Sequence, residues 1–335
     1  MFDSGQLADI VVIAAIAFVI TFLSTPLIAK EMRRRGIVGK DVHKTSHIDI
    51  PEMCGLAILA GLAGACLADI AFNQASRVEV AAFLTSVVIA GAIGVYDDLK
   101  PLTAKVKPIL TAVASFPLIF LQTYNPFPVI PFIGQLRLTI IYPLLIPIAI
   151  AVTSNSVNMM DVMNGSMPGT VSIIAVTITI ILIMSGQLQI AVISAALLAA
   201  SLAFYYYNRF PAKVFSGDTG SLTVGAALGA IAILGRIETV MVVALMPQIM
   251  NAFYGLSSVG RLYERREIAD RPTELLKNGN LKASSMRRAP ITLARLILAA
   301  GPTTEKEVVR SMMVLTVVSS ALAFLTYWIT LVIKP

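Results

Sequence analysis

Ten stretches of this 335-residue chain, near 8–29, 54–74, 80–96, 108–124, 138–154, 168–185, 187–207, 220–235, 239–258 and 311–333, are dominated by apolar residues. That feature decides what the chain can fold into. A helix needs about 20 mostly apolar residues to cross the hydrocarbon core, where every backbone N–H and C=O must be satisfied within the segment. The pattern predicts an all-α, polytopic membrane protein with about ten transmembrane helices. They form a single membrane-embedded domain over 1–335 with one long loop at 259–310. Charged residues make up 13% of the chain, against about a quarter in soluble domains, and 57% is apolar. A soluble enzyme, a disordered chain and a disulfide scaffold are thereby excluded. Cys54 and Cys66 both lie in or beside an apolar run, so neither a disulfide framework nor a thiolate metal site has support. Basic residues follow the stretch 8–29 rather than precede it, which predicts a first span and not a cleaved signal.

The charges orient the spans. Of the 26 Lys and Arg residues, 22 fall in the loops 30–53, 97–107, 208–219 and 259–310, all on one side if the spans alternate. Cytoplasmic loops carry such an excess, so these loops are expected in the cytoplasm and both termini outside. The net charge of +7 then reads as loop topology and not as a nucleic-acid surface. Fourteen of the 19 Asp and Glu residues share that side, and Glu52, Asp97, Asp98, Asp161 and Asp218 stand at span ends. Carboxylates at a membrane boundary are costly unless something compensates them, so their gathering on one face predicts a polar site.

Three loops carry groups able to do chemistry. In Gly94-Val-Tyr-Asp97-Asp98-Leu-Lys100, two adjacent carboxylates raise each other's proton affinity unless a cation intervenes, and Lys100, Lys105 and Lys107 follow closely. Such lysines can hold a phosphate as point charges. In Asn155-Ser-Val-Asn158-Met-Met-Asp161, the i,i+3 spacing places two amides and a carboxylate on one helical face. Oxygen donors of this kind suit Mg²⁺, which keeps several waters and takes one or two side chains together with substrate phosphates. In Gly217-Asp218-Thr219-Gly220-Ser221, a tight turn opens the next span, and free N–H groups at a helix start favour anions. Asp218 there is either a cap or a metal ligand.

Together the loops resemble the polyprenyl-phosphate N-acetylhexosamine-1-phosphate transferases. Three further segments extend the resemblance along the whole chain. They are Asp41-Val-His43-Lys44 leading to Ile50-Pro51-Glu52, Met246-Pro247-Gln248-Ile-Met-Asn251, and Leu293–Leu298 with Gly301-Pro302-Thr-Thr-Glu305. The last resembles the eukaryotic and archaeal UDP-GlcNAc:dolichyl-phosphate branch. Where bacterial members carry N-x-x-N-x-x-D-G-x-x-G-L, this chain has Val162 for the glycine and Asn164 for the second acid. The histidine-rich motif of the bacterial last loop is missing too, since the two histidines are His43 and His47.

The resemblance implies transfer of N-acetylglucosamine 1-phosphate from UDP-GlcNAc to a polyprenyl (dolichyl) phosphate in the membrane, with release of UMP. It implies Mg²⁺ (or Mn²⁺) on Asn158 and Asp218, Asp97 and Asp98 beside the metal and the lipid phosphate, and Lys107 on the phosphate. Glu52, Asn164 and Gly165 would lie at the nucleoside, with Asn164 at the uracil. Asn155 and Lys44 are further substrate-binding candidates, and Arg265, Arg266 and Arg271 supply the basic character expected near the sugar. Family members are often homodimers. The rival from another class is a secondary transporter, for which Pro117, Pro143 and Pro147 would be helix breaks. A transporter places its charges near the midplane, whereas these stand at span ends.

Overall fold

The computed structural model describes residues 4–44, 48–73, 77–263 and 267–332. Its helices are α1 (Ser4–Arg34), α2 (Leu56–Phe72), α3 (Arg77–Leu99), α4 (Val106–Val113), α5 (Phe116–Phe120), α6 (Tyr142–Met160), α7 (Ser166–Met184), α8 (Leu188–Asn208), α9 (Gly217–Leu234), α10 (Glu238–Ala244), α11 (Met246–Val259), α12 (Leu293–Leu298) and α13 (Glu305–Val332). Seven of them are long and apolar enough to cross a membrane, and α10 with α11, bent by 68°, makes an eighth as one broken span. The bend falls at Leu245, two residues before Pro247, whose missing N–H suits the start of a helix. Two shorter apolar pieces, α2 and α4–α5, fill the remaining expected positions. The ten expected spans thus match helical segments in position, and seven or eight match in length.

Helix α9 is the hub. Every residue from Thr219 to Leu234 is buried, and α3 and α6 pack along it most extensively. Small residues allow that closeness. A Cβ on Gly94 of α3 would lie 2.5 Å from Thr219 Cα, and one on Gly225 of α9 would lie 2.5 Å from Ser154 Cα of α6. In lipid, helices associate through such backbone approach because apolar side chains gain little by leaving the hydrocarbon. Each contact fixes what stands a turn away. Asp98 follows Gly94 by four residues, Asn158 follows Ser154 by four, and Asp218 precedes Gly225 by seven, so three polar groups meet at one end of the bundle.

Interior hydroxyls close their own bonds. Thr223 donates to the Thr219 carbonyl at 2.6 Å, Ser172 to Pro168 at 2.7 Å and Thr179 to Ala175 at 2.7 Å, the i−4 pattern that spares a hydroxyl from needing water. The outer helices carry exposed Val11, Leu23 and Leu27 on α1 and Val317, Leu322 and Trp328 on α13, an apolar surface fit for lipid. Cys54 and Cys66 are buried free thiols.

Three antiparallel hairpins punctuate the loops: Val38–Lys40 (β1) with Asp49–Pro51 (β2), Val129–Ile130 (β3) with Gly134–Gln135 (β4), and Thr273–Leu275 (β5) with Leu281–Ala283 (β6). The described parts of the segment 259–310, read from sequence as a long loop, are therefore folded. Arg295 organises it: its guanidinium donates to the carbonyls of Ser284 and Met286 at 3.0 Å and to that of Ala289. Ala294 and Leu298 of α12 are buried in a small cluster with Val308, Val309 and Met312 of α13, Met160 at the end of α6 and Met163 just beyond it. Helix α13 begins six residues before the expected span, which brings Glu305 inside the fold.

Gly225→Leu should drive a side chain into the α6 backbone. Overpacking of this kind costs about 1–3 kcal/mol or more, so thermal unfolding in detergent should fall sharply. An unchanged melting temperature would contradict the α6–α9 contact.

Candidate active site

Lys107 stands in the first turn of α4 and is only 4% exposed. A buried ammonium at the positive end of a helix needs anions, and carboxylates lie on it: Nζ is 2.6 Å from Asp97 Oδ2 and 3.1 Å from Asp218 Oδ2. The other Asp97 oxygen accepts the Leu102 N–H at 2.6 Å, so Asp97 links the end of α3 to the chain leading into α4. Asn155 reaches α4 from α6, its Nδ2 donating to Thr111 Oγ1 at 2.9 Å, one turn from Lys107. It therefore holds the lysine's helix in place and does not join the carboxylate cluster.

The adjacent carboxylates Asp97 and Asp98 avoid each other by pointing to different partners. Asp98 covers the start of α9. Its Oδ1 accepts the Asp218 N–H at 2.7 Å, and its Oδ2 accepts the Thr219 N–H at 3.0 Å and the Thr219 hydroxyl at 2.6 Å. The helix N-terminus expected from the sequence to attract an anion thus holds one from the protein itself. Gly217 has φ +68°, and a Cβ there would meet Asp98 Oδ2 at 2.5 Å, so both its conformation and the seated carboxylate require glycine.

Asp218 presents the other side of that first turn. Asn158 Nδ2 donates to Asp218 Oδ1 and, at 2.8 Å, to Ser221 Oγ. The Asn158 Oδ1 accepts nothing from the described residues. Helix α6 ends at Met160, and Asp161 leaves the helix with φ −81° and ψ 64°, so it does not continue the face of Asn155 and Asn158. Its Oδ2 instead accepts the Ser216 hydroxyl just before α9. Burial pushes the Asp161 carboxyl up to about 7, the Ser216 hydroxyl works against that, and the carboxylates of Asp218, Asp98 and Glu52 add to it. Glu52 is half-buried, and a Cβ on Gly39 would meet Phe215 Cδ2 at 3.1 Å and Glu52 Oε2 at 3.3 Å, which sets both side chains beside the β1 strand.

A second cluster holds Asn164. Its backbone N–H donates to Glu305 Oε1 at 2.8 Å and its Nδ2 to Asp41 Oδ2 at 3.0 Å. Gly165, at φ +83°, donates its N–H to Asn208 Oδ1 at 3.0 Å. A Cβ there would lie 2.9 Å from Tyr205 Cε2, so a side chain fits neither the conformation nor the space. Lys44 Nζ sits 2.6 Å from Asp41 Oδ2 and 4.9 Å from the centre of the Phe210 ring. Burial raises the Asp41 carboxyl, but the bonds from Lys44, Asn164 and His43 outweigh it and leave Asp41 below the usual carboxylate range. Arg271 is exposed, two residues from Thr273, whose hydroxyl is 3.4 Å from His43 Nε2. Arg265 and Arg266 lie outside the described residues.

Among the described residues, ligand atoms that could hold a cation gather in more than one place. Asp41, His43 and Glu305 bring ligand atoms within 4.8 Å of one another, but the Lys44 ammonium already supplies positive charge there. In the first cluster Asp97 and Asp218 meet the Lys107 ammonium, while Asp98 and Asp161 stand beside them on the start of α9 and on Ser216. Those carboxylates, with the Asn158 amide oxygen, make an all-oxygen donor set that fits a hard divalent cation such as Mg²⁺. Sequence reasoning missed Thr219 and Ser216 as partners of the acids and Ser221 as a partner of Asn158, although all three lie in or beside the Gly-Asp-Thr-Gly-Ser turn. It also missed Glu305, whose role depends on where α13 begins.

Fold and site define a membrane-embedded helical bundle with a charged cluster at one end. Residues 80–236 match glycosyl transferase family 4. A Saccharolobus solfataricus protein provisionally named UDP-N-acetylglucosamine–dolichyl-phosphate N-acetylglucosaminephosphotransferase is 31% identical over 74% of this chain and 82% of its own length. Its Sulfolobus acidocaldarius counterpart, provisionally named likewise, is 28% identical over 73% of this chain and 77% of its own. The phospho-N-acetylmuramoyl-pentapeptide-transferase of Anoxybacillus flavithermus is 32% identical over 69% of this chain and 76% of its own. The chain belongs to glycosyl transferase family 4.

The Asp161 carboxyl sets a pH dependence. From the ordinary carboxylate range up to about 7, the unfolded chain releases this proton while the folded protein keeps it, so stability falls as pH rises through that window. Asp161→Asn removes the loss. In metal-free buffer its thermal stability relative to wild type should be higher near pH 8 than near pH 5, and a difference independent of pH would contradict the assignment.

Proposed function

We propose that this protein transfers N-acetylglucosamine 1-phosphate from UDP-GlcNAc to a polyprenyl phosphate of the dolichyl type, releasing UMP and leaving a lipid-linked diphospho-sugar. One observation carries the reading: Lys107, Asp97, Asp218 and Asn158 converge from four helices at the bundle end where the basic loops lie. The printed names of the archaeal relatives support the donor and the acceptor. The concentration of Lys and Arg in the loops at this end supports a cytoplasmic site.

The acceptor's phosphate oxygen attacks the β-phosphorus of the donor, and the bond from that phosphorus to the oxygen bridging the two phosphates breaks. UMP leaves with that oxygen, and the sugar C1–O bond is untouched. The acceptor is already anionic, so no base has to remove a proton. The protein's task is to let two anions meet. Asp218 and Asn158 would hold Mg²⁺, which supplies charge neutralisation when bound. Lys107 contributes a second positive charge, aimed by Asp97 and Asp218. Asp98 fixes the first turn of α9 and so the direction of Asp218. In this reading Asp97 and Asp98 position the charged groups and do not themselves exchange protons with substrate. Asp161, three residues before Asn164, is tied to Ser216 just before α9.

Purified protein in detergent, given UDP-GlcNAc, polyprenyl phosphate and Mg²⁺, should release UMP. EDTA and Asp218→Asn should abolish release, and Lys107→Met should lower it by about 10²-fold or more. Release only from another UDP-N-acetylhexosamine would keep the chemistry and change the donor. No release from any donor by folded protein would overturn the reading.

A further inference from the structure

The end of the bundle opposite Lys107 encloses a cavity. Helix α9, about 27 Å long, runs from Asp218 at the ion-pair cluster to Leu234 at this end, and α3 runs from Glu79 at this end to Asp97 and Asp98. The cavity has a volume of about 1190 Å³ and is walled by the β3–β4 hairpin, the α7–α8 turn, the α9–α10 turn and the end of α13. Its walls are pinned to one another. Gln187 Nε2 donates to the Gly235 carbonyl at 2.6 Å, and the Thr239 hydroxyl donates to the Val129 carbonyl at 3.0 Å. Among the described residues four that are not glycine have positive φ, and three of them, Gln122, Phe132 and Arg236, line this cavity.

Arg236 is the informative one. Helices α7 and α9 close in the same way: the Gln187 N–H reaches back to the Leu182 carbonyl at 2.9 Å, and the Ile237 N–H to the Ala232 carbonyl at 3.0 Å. This motif places the residue in between in the left-handed region, where glycine is favoured. Helix α7 has Gly186 there, at φ +75°, whereas α9 has Arg236, at φ +50°. A helix C-terminus favours a cation, but any position in the last turn would serve and none needs a left-handed arginine. What the strain secures is the place of the side chain on the cavity wall. Arg236 is also one of only four Lys and Arg residues outside the basic loops. Its guanidinium has no hydrogen bond or ion pair among the described residues, and Glu79, the other charged residue of the wall, is not paired with it.

We propose that this cavity binds an anionic phospholipid of the adjoining leaflet, with Arg236 holding its phosphate. A guanidinium presents paired N–H donors that match phosphate oxygens. Gln135, Gln187 and Gln189 of the wall offer neutral amides to the remaining headgroup oxygens. Phe132 and Leu331 are exposed apolar members of the same wall and suit acyl chains. A wall that is polar in one part and apolar in another fits a ligand divided in the same way. A free phosphate would share the contact with Arg236 but would leave the apolar part unused. The assignment holds whatever reaction the Lys107 cluster performs.

The chain's one tryptophan gives a local readout. Trp328 is exposed and follows Tyr327 of the cavity wall, and the basic loops, which also attract anionic lipid, lie at the other end of the bundle. Acyl chains carrying bromine quench tryptophan on contact. The full-length protein would be placed in nanodiscs of phosphatidylcholine with rising fractions of brominated phosphatidylglycerol, and in the mirrored set with the phosphatidylcholine brominated. Wild type should prefer phosphatidylglycerol at Trp328 by about fivefold. Arg236→Gly should bring that ratio close to one with a melting temperature equal to or above that of wild type, because glycine relieves the left-handed strain. Arg137→Gln removes an exposed basic residue of the neighbouring loop that is not part of the wall, and should keep the preference. Equal quenching by both lipids in wild type, or equal loss in the two variants, would overturn the assignment. So would an Arg236→Gly protein that keeps the preference, or one that melts below wild type, since the arginine would then serve the fold. An excess of glycerol phosphate should leave the quenching unchanged; if it erases the preference, the cavity takes a free phosphate and the lipid assignment falls.

Discussion

A lysine ammonium buried between two aspartates is the interaction on which this site depends. Lys107 could not stay charged at 4% exposure without Asp97 and Asp218, and those carboxylates could not share a pocket without it. Each partner comes from a different helix, so the ion pairs also specify how α3, α4 and α9 meet. Taking charges out of water costs several kcal/mol per ion, and only close geometry with further hydrogen bonds offsets that. The further bonds are present in the Leu102 N–H on Asp97 and the Asn158 amide on Asp218. Among the described residues, the pocket gathers the Asp97 and Asp218 carboxylates around the Lys107 ammonium.

The surrounding bundle supplies the registration. Glycines at 94 and 225 let α3 and α6 touch the backbone of α9, and a contact with no side chain between leaves little room to slide. Asp98, Asn158 and Asp218 then fall at one level because each stands one or two turns from such a contact. Asp98 adds a direct tie by capping the first turn of α9 with three hydrogen bonds. Acid pairs in neighbouring positions are often assumed to act together. Here they divide the work, one oriented toward a lysine and the other toward a helix start.

Much of this was legible in the sequence, for identifiable reasons. Apolar runs of membrane length are the clearest signal a sequence carries, and seven, or eight with the broken span, are helices long enough to cross a membrane. The span-end acids marked the pocket because a charge there needs a partner. What failed was local direction. The i,i+3 spacing of Asn155, Asn158 and Asp161 suggested one face, but the helix ends at Met160, and Asn155 turns to Thr111. The turn at 217–221 looked ready for a substrate anion, and no one-dimensional pattern reveals that Asp98 already fills it. Glu305 looked like a loop residue because the apolar run of α13 begins later than its helix. The pairing of Asp41 with Asn164, 123 residues apart, has no signal in spacing at all. The transporter alternative loses its footing with the same observations, since the charges meet at a bundle end and the chain belongs to a transferase family.

The central claim is that Lys107 and its carboxylates form one energetic unit, and a double-mutant cycle in detergent tests it most directly. Lys107→Met, Asp97→Asn and the double variant would be compared with wild type by reversible unfolding in metal-free buffer. Lys107→Met alone strands buried carboxylates and should cost about 3–5 kcal/mol. Asp97→Asn should cost clearly less in that background than in wild type, with a coupling of about 1–3 kcal/mol. Effects that simply add, within about 0.5 kcal/mol, would show that the lysine and the aspartate do not depend on each other and would contradict the account.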